Sequence, residues 1–354
     1  MKQVTAILIG AGARGQVYAR YAQEHPEELR IVAVADPKAD RRELVCHTYD
    51  IPDAQAFESW EKLLARPQMA DAALICTLDD MHTEPTLAAL NRGYHVLLEK
   101  PMSNSEEECK AIAAAASQAQ RVLSICHVLR YTPFYRTIKR LIDDGEIGEV
   151  ASLSQIENVG YWHHAHSFVR GNWRNSEKSS PMILQKSCHD MDIFVWLCGQ
   201  RCVRVSSFGS LQYFNEAHAP KGAPERCTDG CPYNESCPYD AKKIYLSDNV
   251  GWPTDMLTTD MSLEGRLKAL KEGPYGRCVY RCDNDVVDRQ VVDLEFENGV
   301  VASFTMTAFT TDMARQLKVC GTQGQITADM NTNTVILHRF DEAGPRNIEL
   351  ETPP

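Results

Sequence analysis

The sequence predicts an α/β protein in two parts: a doubly wound parallel sheet, then an α+β domain on a largely antiparallel, open sheet. Three observations predict it. A short apolar run, Ala6 to Ile9, passes without a gap into glycines at 10, 12 and 15, the G-x-G-x-x-G pattern in its required setting of strand, tight turn and helix start. Strand-like and helix-like stretches then alternate to about residue 127, as parallel strands with right-handed crossovers require. From about residue 150, strand-like stretches follow one another directly, and one pair is joined through Asn298-Gly299, a hairpin signal.

Taken in order, the first strand leads into a helix over Gln16 to Gln23, whose free N–H groups and positive dipole end suit phosphates. A second apolar run, Ile31 to Ala35, ends in Asp36. Helical stretches follow around Arg41 to Val45 and Trp60 to Leu64. Asp71 to Thr77 reads as a buried strand opening into the loop Leu78 to His82, then a helix from Glu84 to Asn91 with Gly93 as its stop. Tyr94 to Leu98 is a strand running into Glu99-Lys100-Pro101. Ser103, Asn104 and Ser105 can cap an alanine-rich helix with Glu106, Glu107 and Glu108 in its first turn. Arg121 to Cys126 is the last strand of this part. Ligands of such a sheet lie beyond the carboxyl ends of its strands. Those ends carry the glycine loop, Asp36, Thr77 to His82, Glu99 to Pro101, and His127 to Arg130.

The pattern changes after residue 127, which divides the chain into domains 1–127 and 128–354. A helix over Pro133 to Asp143 leads to Val150 to Ile156, which alternates like a strand. The stretch from Tyr161 to Arg174 reads as a loop rich in rings and bases, and Asp190 to Leu197 as a helix ending at Gly199. Cys202 to Phe208 is a strand; Asp293 to Phe296 with Val300 to Thr307, and Gln316 to Cys320 with Gln325 to Asp329, read as hairpins. A polar insertion without clear periodicity occupies about 209–282.

Composition narrows the classes. The chain has 354 residues, 44% hydrophobic and 24% charged, with net charge −11 and no basic run. Such an acidic surface offers no footprint for nucleic acid or anionic membrane. No apolar stretch approaches the ~18 residues of a membrane span. Thirteen cysteines, an odd number scattered through helices and strands, point to a reducing cytoplasm rather than a disulfide framework.

The glycine loop, Gly10-Ala11-Gly12-Ala13-Arg14-Gly15, points to a dinucleotide. Gly10 permits the sharp turn, Gly12 lets backbone approach a pyrophosphate, and Gly15 allows helix to pack on strand. Asp36 stands where a carboxylate can hold a ribose diol and repel a 2′-phosphate, so NAD is expected, with NADP the alternative because Lys38, Arg41 and Arg42 lie close by. A glycine-rich turn of purely structural use is the competing reading.

These residues, with Ala35-Asp36-Pro37, Thr77, His82, Gly93 to Met102 around Glu99-Lys100-Pro101, and His189-Asp190-Met191-Asp192, resemble the glucose–fructose oxidoreductase / inositol dehydrogenase (Gfo/Idh/MocA) family. The resemblance covers most of the chain apart from the insertion. It implies a Rossmann domain and a second domain whose open sheet forms a homodimer or homotetramer contact. It also implies NAD(P)-dependent oxidation or reduction of sugars, glycosides or cyclitols. By resemblance Thr77, Leu78, His82, Glu99, Lys100, Pro101, His127 and Arg130 border the cofactor, Lys100 orients or relays the proton of the reacting hydroxyl, and His189 is the acid/base. Imidazole suits that task near neutral pH. The family often has an aspartate four residues before this histidine; here Gln185 stands there, followed by Lys186. A redox-neutral variant, in which transient ring oxidation permits glycosidic elimination, is the alternative activity, and a non-catalytic NAD(P)-sensing regulator a further one.

The stretch with Tyr161, Trp162, His163, His164, His166, Arg170, Trp173 and Arg174 suits a polyhydroxylated substrate: flat rings for sugar C–H groups, and donors for hydroxyls. Gln185 and Lys186 join it as candidate contacts. The alternatives are a structural loop and, for the histidines, a metal site. In the insertion Cys227-x3-Cys231-x5-Cys237, with Cys278 and Cys282, could supply a structural zinc through Cys227, Cys231, Cys237 and Cys278, or an iron–sulfur cluster. Free buried thiols or a disulfide are the competing readings.

Overall fold

The computed structural model describes residues 2–352. It divides into two compact units, one ending at His127 and one beginning at Val128.

The first unit is a six-stranded parallel sheet. Its strands are β1 (Val4–Ile9), β2 (Leu29–Ala35), β3 (Ala56–Phe57), β4 (Ala72–Ile75), β5 (His95–Leu98) and β6 (Leu123–Ile125), in the order β3-β2-β1-β4-β5-β6. Helices α1 (Ala13–Ala19), α2 (Tyr21–Glu24), α3 (Ala39–Tyr49), α4 (Trp60–Leu64), α5 (Thr83–Asn91) and α6 (Glu106–Ala119) intervene. Burial on both sheet faces explains the near-continuous apolar strands: one core gathers Ile7, Ile9, Ala33, Ile75 and Leu98, another Ala6, Leu8, Ile31 and Val34. The strand order reverses between β1 and β4, which opens a crevice at their carboxyl ends. Ser105 caps α6 by accepting from the Glu108 N–H, as its sequence anticipates.

The second unit carries an eight-stranded sheet ordered β14-β13-β12-β11-β7-β10-β9-β8. The strands are β7 (Val150–Asn158), β8 (Cys202–Ser210), β9 (Arg289–Phe296), β10 (Val301–Thr307), β11 (Ala314–Gly321), β12 (Gly324–Asp329), β13 (Thr334–Arg339) and β14 (Arg346–Asn347). Only β7 and β10 pair in parallel. Helix α7 (Pro133–Asp143) starts at Thr132, whose hydroxyl accepts from the Tyr135 N–H, and has proline in its first turn. The hydrophobic core joins Phe134, Ile138 and Leu141 of α7 to Leu153, Phe304 and Val319 of the sheet. Edge strand β8 is exposed throughout, with Val205 62% and Phe208 73% accessible.

Several elements differ from expectation. The stretch from Tyr161 is helical, not a loop: α8 (Tyr161–His164) continues into a π-helix over Ala165–Arg170. Short α9 (Met182–Gln185) precedes α10 (Cys188–Cys198), which begins two residues before the expected Asp190 and ends at Gly199 with φ +64°. The insertion is folded, with α11 (Ala241–Tyr245) and α12 (Leu263–Glu272). It closes on two small cores, one containing Phe214, Tyr239, Cys278 and Tyr280, the other Cys227, Ala241, Tyr245 and Leu270. No helix among the described residues is long and apolar enough to cross a membrane.

Candidate functional site

The glycine loop has the geometry its spacing anticipates. Gly10 adopts φ +90°, and a Cβ there would lie 2.5 Å from the Cys76 carbonyl oxygen. At Gly15 a Cβ would come within 2.1 Å of the Gly10 oxygen, so only glycine lets α1 pack onto the loop. Gly12 differs: the nearest atom to an added Cβ is Nη1 of Arg41 at 3.4 Å, leaving open space against the backbone. A pyrophosphate needs such a cradle at a helix start. Asp36 directly follows β2, almost fully buried; its Oδ2 accepts from the Ala11 N–H (2.8 Å) and its Oδ1 from the Lys38 N–H (2.9 Å). A carboxylate has about four acceptor directions, so two remain for a diol. Arg41 Nη1 stands 3.8 Å from Oδ2, and Arg42 donates to the Asp36 carbonyl. These residues fit a dinucleotide.

Other residues expected to border the cofactor brace the loops at the carboxyl ends of the strands. Glu99 is buried, and its Oε1 accepts from Arg14 Nε (2.8 Å) and Tyr18 Oη (2.7 Å) while Oε2 accepts from the Lys100 N–H (2.7 Å). Burial, then the Glu99 charge, pushes the Tyr18 phenol well above its ordinary pKa, which keeps it a donor. His82 is 1% exposed; Nδ1 donates to the Pro101 carbonyl at 2.7 Å, and Nε2 lies 3.3 Å from the Thr77 carbonyl. It therefore ties the loop after β4 to the loop after β5. Thr77 donates to the Met81 carbonyl, and Leu78 is half exposed. His127 closes the first unit, and Arg130 belongs to the second. There Arg130 makes a two-pronged contact with Asp192 (2.7 and 2.5 Å) and lies over the Trp196 ring. Its guanidinium anchors α10.

His189 sits in the first turn of α10, partly buried, beside Asp190. Asp190 is fully buried and holds Arg315 through both oxygens (2.7 and 3.1 Å); Gln155 donates to the same carboxylate at 2.5 Å. Buried Glu157 pairs with Arg315 (2.7 Å) and with Lys186 (3.1 Å). Desolvation pushes the Glu157 carboxyl upward and the two cations oppose it. Two carboxylates thus face two cations, a balanced group that fixes the start of α10. Lys186 is committed to Glu157, and Gln185 is buried. Glu157 and Arg315 were missed in the sequence although it carries a signal: strand alternation puts Gln155 and Glu157 on the face of Leu153, and Arg315 on that of Leu317 and Val319.

The aromatic segment divides. Tyr161 and Trp162 line a cavity of about 430 Å³ with Pro238, Lys243, Asn249 and Trp252. Trp162 meets Trp252 edge-on at 5.2 Å, and His163 meets Trp252 at 5.0 Å. His163 donates from Nδ1 to the Val159 carbonyl, and burial followed by the Lys186 charge lowers its pKa well below the usual value. His164 and His166 belong to the interior, stacked on Phe214 and Tyr275, and burial depresses both to about 3. Trp173 packs against the core of the second unit. Arg170 is fully buried, and Arg174 is held by Asp283 at 2.8 Å. His164, Arg170 and Arg174 are thus placed for packing rather than for a substrate.

The cysteines of the insertion are all free thiols. Cys227, Cys231, Cys237 and Cys278 line one small cavity, while Cys282 donates to the Cys278 carbonyl. Among the described residues only His25, Glu27 and Glu28, at the surface, bring three donor atoms within 4.8 Å of one another. A single zinc holds thiolates ~3.8 Å apart, given Zn–S bonds of about 2.3 Å. The cysteines are not at that spacing, so the expected tetrahedral zinc does not fit as they stand.

Residues 4–127 match the profile described as oxidoreductase family, NAD-binding Rossmann fold, and residues 139–347 match its C-terminal alpha/beta domain. An inositol 2-dehydrogenase of Pseudomonas savastanoi pv. phaseolicola is 29% identical over 199 residues, 56% of this chain and 55% of that protein. The 2,7-anhydro-N-acetylneuraminate hydratase of Escherichia coli is 26% identical over 218 residues, 61% of this chain and 54% of that protein. The chain spans between 53% and 61% of the length of the first eight curated relatives it matches. Levoglucosan dehydrogenase, solved with NADH, shares the fold at a TM-score of 0.70 and 18% identity, over 98% of this chain and 80% of that one. Both halves of one family profile fall on the two units in order, and the chain belongs to the Gfo/Idh/MocA oxidoreductase family.

Proposed function

We propose that the chain is an NAD-dependent oxidoreductase that interconverts a ring hydroxyl and a ketone on a sugar, glycoside or cyclitol. The observation that carries this reading is the glycine loop: an open cradle at Gly12 beside a buried Asp36 with acceptor directions to spare. Relatives named for inositol and levoglucosan dehydrogenation support the substrate class. So does the cavity walled by Tyr161, Trp162 and Trp252, whose size suits a small polyol.

Oxidising a secondary alcohol takes a hydride from carbon and a proton from oxygen. The nicotinamide cofactor, when bound, supplies the hydride acceptor. His189 takes the hydroxyl proton, and the Asp190–Arg315 pair keeps its helix start in place. Lys100, whose backbone N–H is fixed by Glu99, orients the hydroxyl or relays its proton. Asp36 favours NAD; Arg41 and Arg42 beside it support NADP as the alternative. The exposed apolar residues of β8, Val203, Val205 and Phe208, support self-association through the second sheet as a homodimer or homotetramer.

A second reading, redox-neutral cleavage by transient ring oxidation, is favoured by the relative named as a hydratase of an anhydrosugar acid. One assay separates the two. With NAD and a panel of sugars, glycosides and cyclitols, a dehydrogenase accumulates NADH in step with ketone. A redox-neutral enzyme releases aglycone without net NADH, and NAD binding without turnover on any of the panel speaks for a sensor.

A further inference from the structure

The cysteine cavity lies outside everything the proposed reaction uses. Two segments of the insertion build it. Residues 225–227 pair with 276–278: Arg226 and Arg277 form an antiparallel bridge, the Cys227 N–H donates to the Gly276 carbonyl, and the Cys278 N–H donates to the Glu225 carbonyl. Cys227 thus lies opposite Gly276 and Cys278 opposite Glu225, which sets the two cysteines diagonally across a two-stranded clasp, on one face of it. Turns at residues 231–237, in which the Cys237 N–H donates to the Tyr233 carbonyl, return Cys231 and Cys237 to the same space. All four line one opening, together with Tyr239 and Tyr280.

Arg170 lines it too, fully buried. Its Nε donates to the Arg277 carbonyl (2.7 Å), and its Nη2 to the Tyr239 carbonyl (2.7 Å) and toward Cys227 Sγ (3.6 Å). Nη1 has no hydrogen bond of ordinary geometry, and among the described residues Arg170 belongs to no ion pair with a carboxylate. A buried cation without an anion is costly, by several kcal/mol. Such a site calls for negative charge at the sulfurs.

We propose that Cys227, Cys231, Cys237 and Cys278 hold a four-iron, four-sulfide cluster that clasps the insertion. Size decides against one ion: a zinc would need sulfurs ~3.8 Å apart, closer than any three of these lie. A cubane takes one thiolate at each of its four irons and so spreads the sulfurs wider around a shared centre. Charge agrees. A core of two ferrous ions, two ferric ions and four sulfides carries +2. Four thiols release four protons and bind as thiolates, giving a net −2 that Arg170 partly neutralises. The cluster is structural, and no hydride or proton of the proposed reaction passes through it.

The test is anaerobic purification of the full chain, with reconstitution by equal ferrous and ferric iron plus sulfide. The expected result is about four iron and four acid-labile sulfide per chain, a brown absorbance, and a melting temperature that falls when air bleaches it. Cys231→Ser and Cys278→Ser should lose the iron, whereas Cys202→Ser, on exposed β8, should keep it. Should the Ser variants fail to fold, the metal and sulfide content of the wild-type chain still decides. One zinc per chain without sulfide overturns the proposal. So does a reconstituted chain that takes up neither iron nor sulfide.

Discussion

Asp36 shows how far single residues can be read. Its place at the end of an apolar run and about twenty residues beyond the glycines is a local property of sequence, and the structure puts it at the end of β2 against the glycine loop. Removing the carboxylate deletes a diol acceptor and the repulsion of a 2′-phosphate together. Asp36→Ala should therefore weaken NAD more than NADP, measured as the ratio of their dissociation constants. A wild-type chain that binds NADP as well as NAD contradicts the assignment. Residues whose role depends on distant partners were less legible. Arg315 meets Asp190 across 125 positions, and nothing local marks that pairing. His82 and Arg130 stand at strand or domain ends, and their bonds to the Pro101 carbonyl and to Asp192 are equally invisible to local sequence.

At the scale of elements, periodic stretches were legible and dense aromatic ones were not. The helix over Pro133 to Asp143 matches its expected bounds because its cap and apolar spacing agree. The segment from Tyr161 looked like a binding loop because it holds many rings and bases. Tertiary packing makes it helical instead, with His164 stacked on Phe214 and tilted against Phe168. That has a consequence for acid stability. Burial holds His164 and His166 at about 3, whereas an unfolded histidine titrates near ~6.5. Above pH ~6.5 both states are neutral and the groups contribute nothing; below it the unfolded chain binds protons the folded chain refuses. Stability should fall by about 1.4 kcal/mol per pH unit per histidine from pH ~6.5 down toward 3. His164→Phe, which keeps the stack, should flatten this slope in melting curves between pH 6.5 and 4.5; an unchanged slope contradicts the neutral burial of His164.

For the whole molecule, the order of strands carried the fold. Alternation of β and α specifies the parallel sheet, and strands in series with an Asn-Gly turn specify the antiparallel one, because connection length constrains pairing. Strands β13 and β14 were not anticipated; β14 is two residues long, whereas β13 follows Asn331-Thr332-Asn333, a turn signal that the sequence does carry. The insertion looked formless since its two cores are small and drawn from residues far apart, Phe214 with Tyr280 and Cys227 with Leu270. The central claim is that this chain oxidises a ring hydroxyl with His189 as the base. Its most direct test is the single-turnover rate of hydride transfer to NAD from a ring-deuterated substrate, compared between wild type and His189→Ala. The account predicts a loss of roughly 10²–10⁴-fold, with NAD affinity and melting temperature unchanged. A folded His189→Ala that transfers hydride at close to the wild-type rate would contradict it.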